Sequence, residues 1–315
     1  MNYSPLFWPV KLQGRQIFVL DETLLPHKTS YIRVRDYKDA CQAIRRMKTR
    51  AVGQVLLVMY TFLQVCGRHK GTTDIIPVLK RVALALNASR PTLPFNVLTD
   101  MVLGWAHSGV SLEPAITGFL ATLRNKRIQQ AQEAAAVLQD GDCVLTHCNV
   151  SGLMPLIGEF CRSSGKRIRF VVTETRPYLQ GLRLTAWELE RAGFDTTVIT
   201  DSSVAALMQA GTITKVIVGA DHRARNGDIA NKVGTCQMAI LARHFSIPFY
   251  VLCPPSSSVP SGKDIPIEVR PGKELLQYYR PNVARPRTKF HYPAFDVTPA
   301  HLITRHFDLE LKGPS

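Results

Sequence analysis

The sequence predicts an α/β protein, with a doubly wound, mainly parallel C-terminal domain preceded by a smaller, mainly helical N-terminal domain. Three observations predict it. From Asp142 onward, short apolar runs alternate with amphipathic stretches of helical period, the pattern of a parallel sheet with helical crossovers. Before that point helical periodicity dominates. Finally, the β-branched run Val216–Val218 ends in Gly219, Ala220 and a lone acid, Asp221, followed by Asn231, Lys232 and Gly234. A sheet of this kind presents polar groups in that way beyond the carboxyl end of a buried strand. The expected domains are 1–140, with a small sheet and a long linking helix, and 141–315.

Taken in order, Gln16–Leu20 and Tyr31–Val34 read as strands, the second from its alternation of apolar and basic residues. Asp36 is a good N-cap for a helix carrying Tyr37, Ala40, Cys41, Ile44 and Met47 on one face. A strongly apolar helix spans Val55–Val65. Residues 87–94 read as a loop because prolines 91 and 94 disfavour helix before them. Residues 111–114 open a long Ala- and Gln-rich helix closed by Asp140-Gly141 near Gln139. Strands are expected at Cys143–Leu145, Ile168–Val172, Thr196–Ile199, Val216–Val218 and Pro248–Leu252. Arg280–Lys289 reads as a loop, and a short helix follows Ala300.

The chain has 315 residues, of which 45% are hydrophobic, enough for a large core. It has no apolar run long enough to span a membrane and no signal-like start, so no membrane partner is expected. Its seven cysteines show no paired spacing, which fits a reduced, cytoplasmic protein without a zinc site. The formal charge of +15 favours anionic partners. Because the basic residues are scattered and no aromatic residues interleave with them, a phosphorylated metabolite is expected rather than nucleic acid.

The residues following each strand are unusually polar. Thr146-His147-Cys148-Asn149 follows the first, Glu174 to Gly181 the second, Asp201-Ser202-Ser203 the third and Asp221 the fourth. Cys148 is expected at a helix N-terminus, which favours thiolate, although its position also suits a small packing residue. Asp221 is expected to be desolvated and so to hold a proton near neutrality, or else to form a turn. Arg90, Arg176, Gln180, Asn231 and Lys232 suit a phosphate or hydroxyl-rich ligand. His147 reads as structural. No Walker loop or dinucleotide fingerprint occurs.

Together, Thr146–Asn149, Glu174–Gly181, Arg183–Leu189, Val218–Asp221 and Asn226–Thr235 resemble the methylthioribose-1-phosphate isomerase family. So do Leu20–Pro26, Ser89–Thr92, Ile265–Glu268 and Pro293–Ala300. Ribose-1,5-bisphosphate isomerase and the regulatory subunits of a eukaryotic translation-initiation exchange factor are relatives of that family. The resemblance implies a Rossmann-like catalytic domain and a homodimer. It also implies an aldose–ketose isomerase of methionine salvage that converts 5-methylthioribose 1-phosphate to 5-methylthioribulose 1-phosphate without metal or organic cofactor. Carried over by position, Asp221 is the proton donor and Cys148 the second catalytic residue. Arg50, Arg90, Gln180, Asn231 and Lys232 match substrate-binding positions. The alternatives are a paralogue acting on another 5-substituted ribose 1-phosphate and a non-catalytic regulatory protein.

The chain departs from the family pattern at three places. An Arg-Gly-Ala-Pro loop is replaced by Thr49–Gly53, with the glycine displaced and the proline absent. Thr173 stands where an acid precedes Glu174, and His222 stands where arginine is usual.

Overall fold

A computed structural model of the chain describes residues 4–69, 74–90, 95–279, 283–285 and 287–309. The readings at 91–94, at 280–282 and at 286 lie outside those residues. The chain divides into two compact units, one reaching to Asn125 and the other beginning at Lys126.

In the first unit, β1 (Val10–Gln13), β2 (Gln16–Leu20) and β3 (Tyr31–Val34) form an antiparallel meander. Helices α1 (Tyr37–Arg45), α2 (Val52–Arg68), α3 (Ile76–Ser89) and α4 (Phe95–His107) follow, and the division between units falls within α5 (Leu112–Ala136). Asp36 caps α1 by accepting the Lys38 and Asp39 N–H groups at 2.9 and 3.0 Å. The loop expected from Asn87 does not form there, because α3 continues to Ser89. A proline restricts only its immediate predecessor, and Arg90 alone leaves the helical region, with ψ 84°.

The second unit is built on a six-stranded parallel sheet. Its strands are β4 (Cys143–Thr146), β5 (Arg169–Thr173), β6 (Thr196–Ile199), β7 (Lys215–Gly219), β10 (Phe249–Cys253) and β14 (Arg305–Asp308), in the spatial order β14-β10-β7-β4-β5-β6. The crossovers carry α6 (Leu153–Ser163), α7 (Trp187–Arg191) and α8 (Val204–Gln209), and α9 (Thr235–His244) precedes β10. Cys143, Leu145, Val171, Val216, Val218, Phe249 and Val251 alternate along their strands and pack with Met208 of α8 and Met238, Ala239 and Ala242 of α9. The intervening Val144, Phe170, Val172, Ile217 and Leu252 are also buried, so both faces are covered.

This topology contains one reversal. From β4 the order proceeds outward through β5 to β6, and β7 then returns to the other side of β4. The loops after β4 and β7 therefore diverge, leaving a crevice at the carboxyl edge of the sheet, where open α/β sheets bind their ligands.

Two segments differ from expectation. Gly227–Lys232 is not simply a turn before a helix. Ile229–Lys232 is a buried strand, β9, pairing antiparallel with β8 (His222–Arg223) and β13 (Phe295–Thr298). A short ribbon of β11 (Val269–Arg270) and β12 (Tyr292–Pro293) adjoins in sequence. After Ala300 only one 3-10 turn forms before β14, an edge strand whose single fully buried residue is Phe307. One buried side chain in four leaves no readable alternation.

Gly158 on α6 marks a close approach. A Cβ there would lie 2.5–2.9 Å from three atoms of the Phe194 ring. That ring has little freedom, being edge-on to Phe170 at 5.4 Å and stacked under the Arg162 guanidinium at 4.2 Å. Gly158→Ala is expected to lower stability by about 1–3 kcal/mol through overpacking, measured by urea denaturation of the full chain.

Candidate functional site

The crevice between the loops after β4 and β7 gathers four of the residues singled out above. Cys148 lies two residues beyond β4 with φ +65°. It is not in a helix N-terminal turn as expected, because α6 begins only at Leu153, with Gly152 as its N-cap. What holds Cys148 is hydrogen bonding to its peptide. Its N–H donates to Thr175 Oγ1 at 2.9 Å, and its carbonyl accepts the Thr185 hydroxyl at 2.6 Å. Non-glycine residues are uncommon in this left-handed region, and clamping from both sides is what keeps one there.

Gln180 opens the π-helical turn Gly181–Ala186 and is 6% exposed, with Oε1 lacking a hydrogen-bond partner among the described residues. A buried acceptor left in this way favours a ligand donor. Gly181 lets the turn close on β5, since a Cβ there would sit 1.8 Å from the Thr173 carbonyl oxygen. Arg176, by contrast, ties loops together, donating to the Leu275 carbonyl and stacking on Tyr279 at 4.5 Å.

Asn231 and Lys232 end β9 and are 5% and 4% exposed. The Asn231 amide donates to Thr235 Oγ1 at 3.0 Å. The Lys232 ammonium faces three rings, with Phe295, Tyr178 and Tyr292 centroids at 4.8, 5.4 and 6.0 Å, and donates to the Tyr292 hydroxyl at 3.5 Å. Aromatic faces stabilise a cation, and the Glu274 and Asp296 carboxylates also act on this one, in a setting of low dielectric. Tyr178 also donates to Glu274, and burial together with that carboxylate pushes its hydroxyl up to about 12.

Asp221 follows β7 and bonds through its N–H to the Ala230 carbonyl at 2.9 Å, which places it beside the strand bearing Asn231. Its side chain is exposed, so the desolvation expected of it is absent. The lone acid after an apolar strand is carried outward by Ala220 into the β8 hairpin.

The half-buried acid of this region is Asp296, which the strand-wise reading did not single out. It pairs with Asn231 across β13 and β9, and it accepts the N–H groups of Gly234 and Cys236 at 2.7 and 3.1 Å at the start of α9. Burial pushes its carboxyl up to about 6, the two N–H donors and the Lys232 charge opposing the rise. The segment Phe295–Thr298 was not read as a strand, and its partner lies more than sixty residues away.

His147 is 1% exposed, with both ring nitrogens engaged, Nδ1 with Thr173 Oγ1 at 2.6 Å and Nε2 with the Val233 carbonyl at 3.0 Å. Burial pushes its imidazole down to about 4. Among the described residues no three His, Cys, Asp or Glu side chains gather where they could hold a metal ion. No described helix is long and apolar enough to cross a membrane. None of the seven cysteines is in a disulfide.

Arg50 and Arg90 belong to the first unit and share one network there. The buried Glu22 carboxylate accepts the Thr49 hydroxyl at 2.6 Å and the Arg50 N–H at 3.1 Å, and burial raises its pKa against the Arg50 charge. The Gln54 amide donates to the Thr49 carbonyl at 2.9 Å and accepts Arg90 Nη1 at 2.9 Å. Arg50 Nε and Nη1 are buried without hydrogen-bond partners among the described residues. Ala51 sits at φ 41°, ψ −118°, a conformation natural only to glycine. Gly53 is needed for another reason, since a Cβ there would lie 1.8 Å from Thr49 Oγ1.

The chain matches the initiation factor 2 subunit family over residues 56–307. It therefore belongs to that family. The methylthioribose-1-phosphate isomerase 1 of Pseudothermotoga lettingae is 36% identical, the match covering 96% of this chain and 93% of that protein. The crystal structure of 5-methylthioribose 1-phosphate isomerase from Pyrococcus horikoshii superposes with a TM-score of 0.81 at 27% identity, covering 97% and 93% of the two chains. That of the translation initiation factor eIF-2B subunit delta from A. fulgidus also gives 0.81, at 33% identity over 96% and 94%.

Two outcomes are expected from these geometries. Ala51→Gly should raise stability by about 1 kcal/mol, because glycine adopts the observed backbone without steric strain, as read from the urea midpoint. Asp296 is harder to ionise folded than unfolded. The stability of the wild type relative to Asp296→Asn should therefore be lowest above about pH 6 and rise as pH falls toward about 4. Paired denaturation curves across that window, flat or of opposite slope, would count against the half-buried acid.

Proposed function

We propose that the chain is an aldose–ketose isomerase acting on 5-methylthioribose 1-phosphate and giving the corresponding ribulose 1-phosphate. The observation carrying this reading is the position of Cys148 just after β4 at the sheet's reversal, acting on the same Tyr292 whose hydroxyl the Lys232 ammonium reaches, with Asn231 beside Lys232 and Gln180 buried after β5. Asp221 follows β7 on the crevice's other side. The isomerase names of the similar proteins support it.

In this reading the anomeric carbon carries phosphate, so no free aldehyde exists and the furanose ring must open first. Asp221 protonates the ring oxygen. Because that side chain is exposed, the water exclusion that keeps a carboxyl protonated is assigned to the substrate lying over it. The bond from the ring oxygen to C1 breaks, a hydrogen moves from C2 to C1, and the C2 hydroxyl proton returns to the Asp221 carboxylate, leaving a ketone at C2 and the acid restored. No external oxidant or reductant is consumed. Cys148 serves this transfer, either as base or by stabilising a hydride shift. Lys232 and Asn231 hold the phosphate against expulsion, and Gln180 Oε1 accepts a sugar hydroxyl. Arg50 and Arg90 keep the substrate-binding roles that the resemblance implies, and the protein is read as a cytoplasmic homodimer.

A regulatory, non-catalytic role of the initiation-factor kind is the second reading, favoured by the A. fulgidus structure. Purified protein incubated with 5-methylthioribose 1-phosphate should form the ketose. Cys148→Ser and Asp221→Asn should each lower kcat by at least about a hundredfold with an unchanged melting curve. Tight sugar-phosphate binding with no turnover by the wild type would select the second reading.

A further inference from the structure

We propose that His147 is a positioning residue for Cys148, locked as its Nε2–H tautomer by Thr173. It closes a one-directional hydrogen-bond chain from the Cys148 peptide to the segment that follows Lys232. The functional part of this proposal rests on the reading of Cys148 given above. The tautomer and the chain do not.

The proton positions follow from which groups can only accept. The Val233 carbonyl at 3.0 Å can only accept, so Nε2 carries hydrogen. In the neutral ring Nδ1 then offers a lone pair, and the Thr173 hydroxyl at 2.6 Å must donate into it. With its proton committed, Thr173 Oγ1 can only accept from Thr175 Oγ1 at 3.2 Å. The Thr175 proton is shared between that oxygen, the Thr173 carbonyl, also at 3.2 Å, and, at 3.4 Å, the Nδ1 atom that Thr173 approaches more closely. Thr175 Oγ1 in turn accepts the Cys148 N–H at 2.9 Å. Every donor therefore points the same way, from Cys148 through Thr175 and Thr173 to His147 and on to Val233.

The chain supports two residues that resist their own backbone angles. Cys148 and Thr175 have φ +65° and +63°, and a β-branched residue in that region is a genuine outlier. Asp201 holds the Thr175 and Arg176 N–H groups at 2.8 and 2.7 Å, and Thr185 holds the Cys148 carbonyl. The imidazole is seated against Gly234, where a Cβ would lie 3.3 Å from Cε1 and Nε2. The ring thus joins the loop after β4 to the residues between β9 and α9.

Thr173 is the residue that makes this tautomer possible, and it is one of the chain's departures from the pattern it resembles. A carboxylate at 173 can only accept. Nδ1 would then have to carry a proton while Nε2 keeps its own for Val233, and the ring would be an imidazolium. Threonine donates instead and leaves the ring neutral. The charged groups acting on the ring are Asp201, which favours its protonation, and Lys232, which opposes it, with burial outweighing both.

The test uses the full chain labelled with 15N-histidine, the His147 signals being identified by their loss in His147→Gln. The wild type should show the neutral Nε2–H pattern from pH 8 down to about 5, and Thr173→Ser should keep it. Thr173→Asp should convert it to the imidazolium pattern within the same range. An Nδ1–H or imidazolium pattern in the wild type overturns the assignment without reference to any activity. For positioning, Thr173→Val should lower kcat by about tenfold or more while changing KM by less than about threefold, with Thr173→Ser restoring kcat. The rate of iodoacetamide labelling of the Cys148 peptide, followed by mass spectrometry, should change in parallel. If Thr173→Val fails to fold, His147→Gln serves for both readouts. A folded variant with unchanged kcat and labelling overturns the positioning role. Should the isomerase assay be blank while the tautomer and labelling behave as stated, the reading of the activity fails and the chain stands.

Discussion

The second unit depends on a constraint of topology, the return of β7 to the far side of β4. Two parallel strands whose connections leave in opposite directions cannot have their following loops packed together. A crevice is thereby forced at their carboxyl ends. Val150, in the loop after β4, approaches Gly219 at the end of β7, where an added Cβ would lie 3.1 Å from its side chain. The sheet brings the edges of the crevice together, and each candidate residue is then fastened by its own local device.

Those devices differ in kind. Cys148 is held through its peptide, clamped by two threonine hydroxyls in a backbone region it would otherwise avoid. Lys232 is held by a small antiparallel sheet and by rings, its charge kept in low dielectric. Asp296 supports the strand next to it and the first turn of α9, accepting two N–H groups that no helical carbonyl could satisfy. Asp221 alone is displayed toward solvent, on a short hairpin whose backbone is anchored to Ala230. Its environment is therefore the most open to change when a ligand arrives.

In the first unit the altered loop holds a strained backbone. Glycine does not follow Arg50, yet the backbone there still takes a glycine-type conformation with Ala51 in it. The strain is sustained because Thr49, Arg50, Gln54 and Arg90 are all tied into the network around the buried Glu22. The displaced Gly53 answers a separate demand, the close approach of the Thr49 hydroxyl to the start of α2. A rearranged sequence motif can thus preserve a backbone shape at an energetic cost.

Read alone, the sequence determined the class of fold, the five strands β4, β5, β6, β7 and β10, of which all but β6 are largely buried, and the polar loops that follow them. Those features rest on local periodicity, which burial on both faces makes strong. It also determined the family, through motifs spread over most of the chain. Only the tertiary structure decided that Ile229–Lys232 is a strand, because its partner Phe295–Thr298 is remote and no local pattern links them. It also decided that Asp221 is exposed and Asp296 half-buried. Whether an acid at the end of a strand meets water depends on what packs over it, and neighbouring residues in the chain do not carry that information. His147 looked structural by sequence, and it is buried. That its tautomer is set by Thr173 follows only from donors and acceptors that the fold brings to within hydrogen-bonding distance.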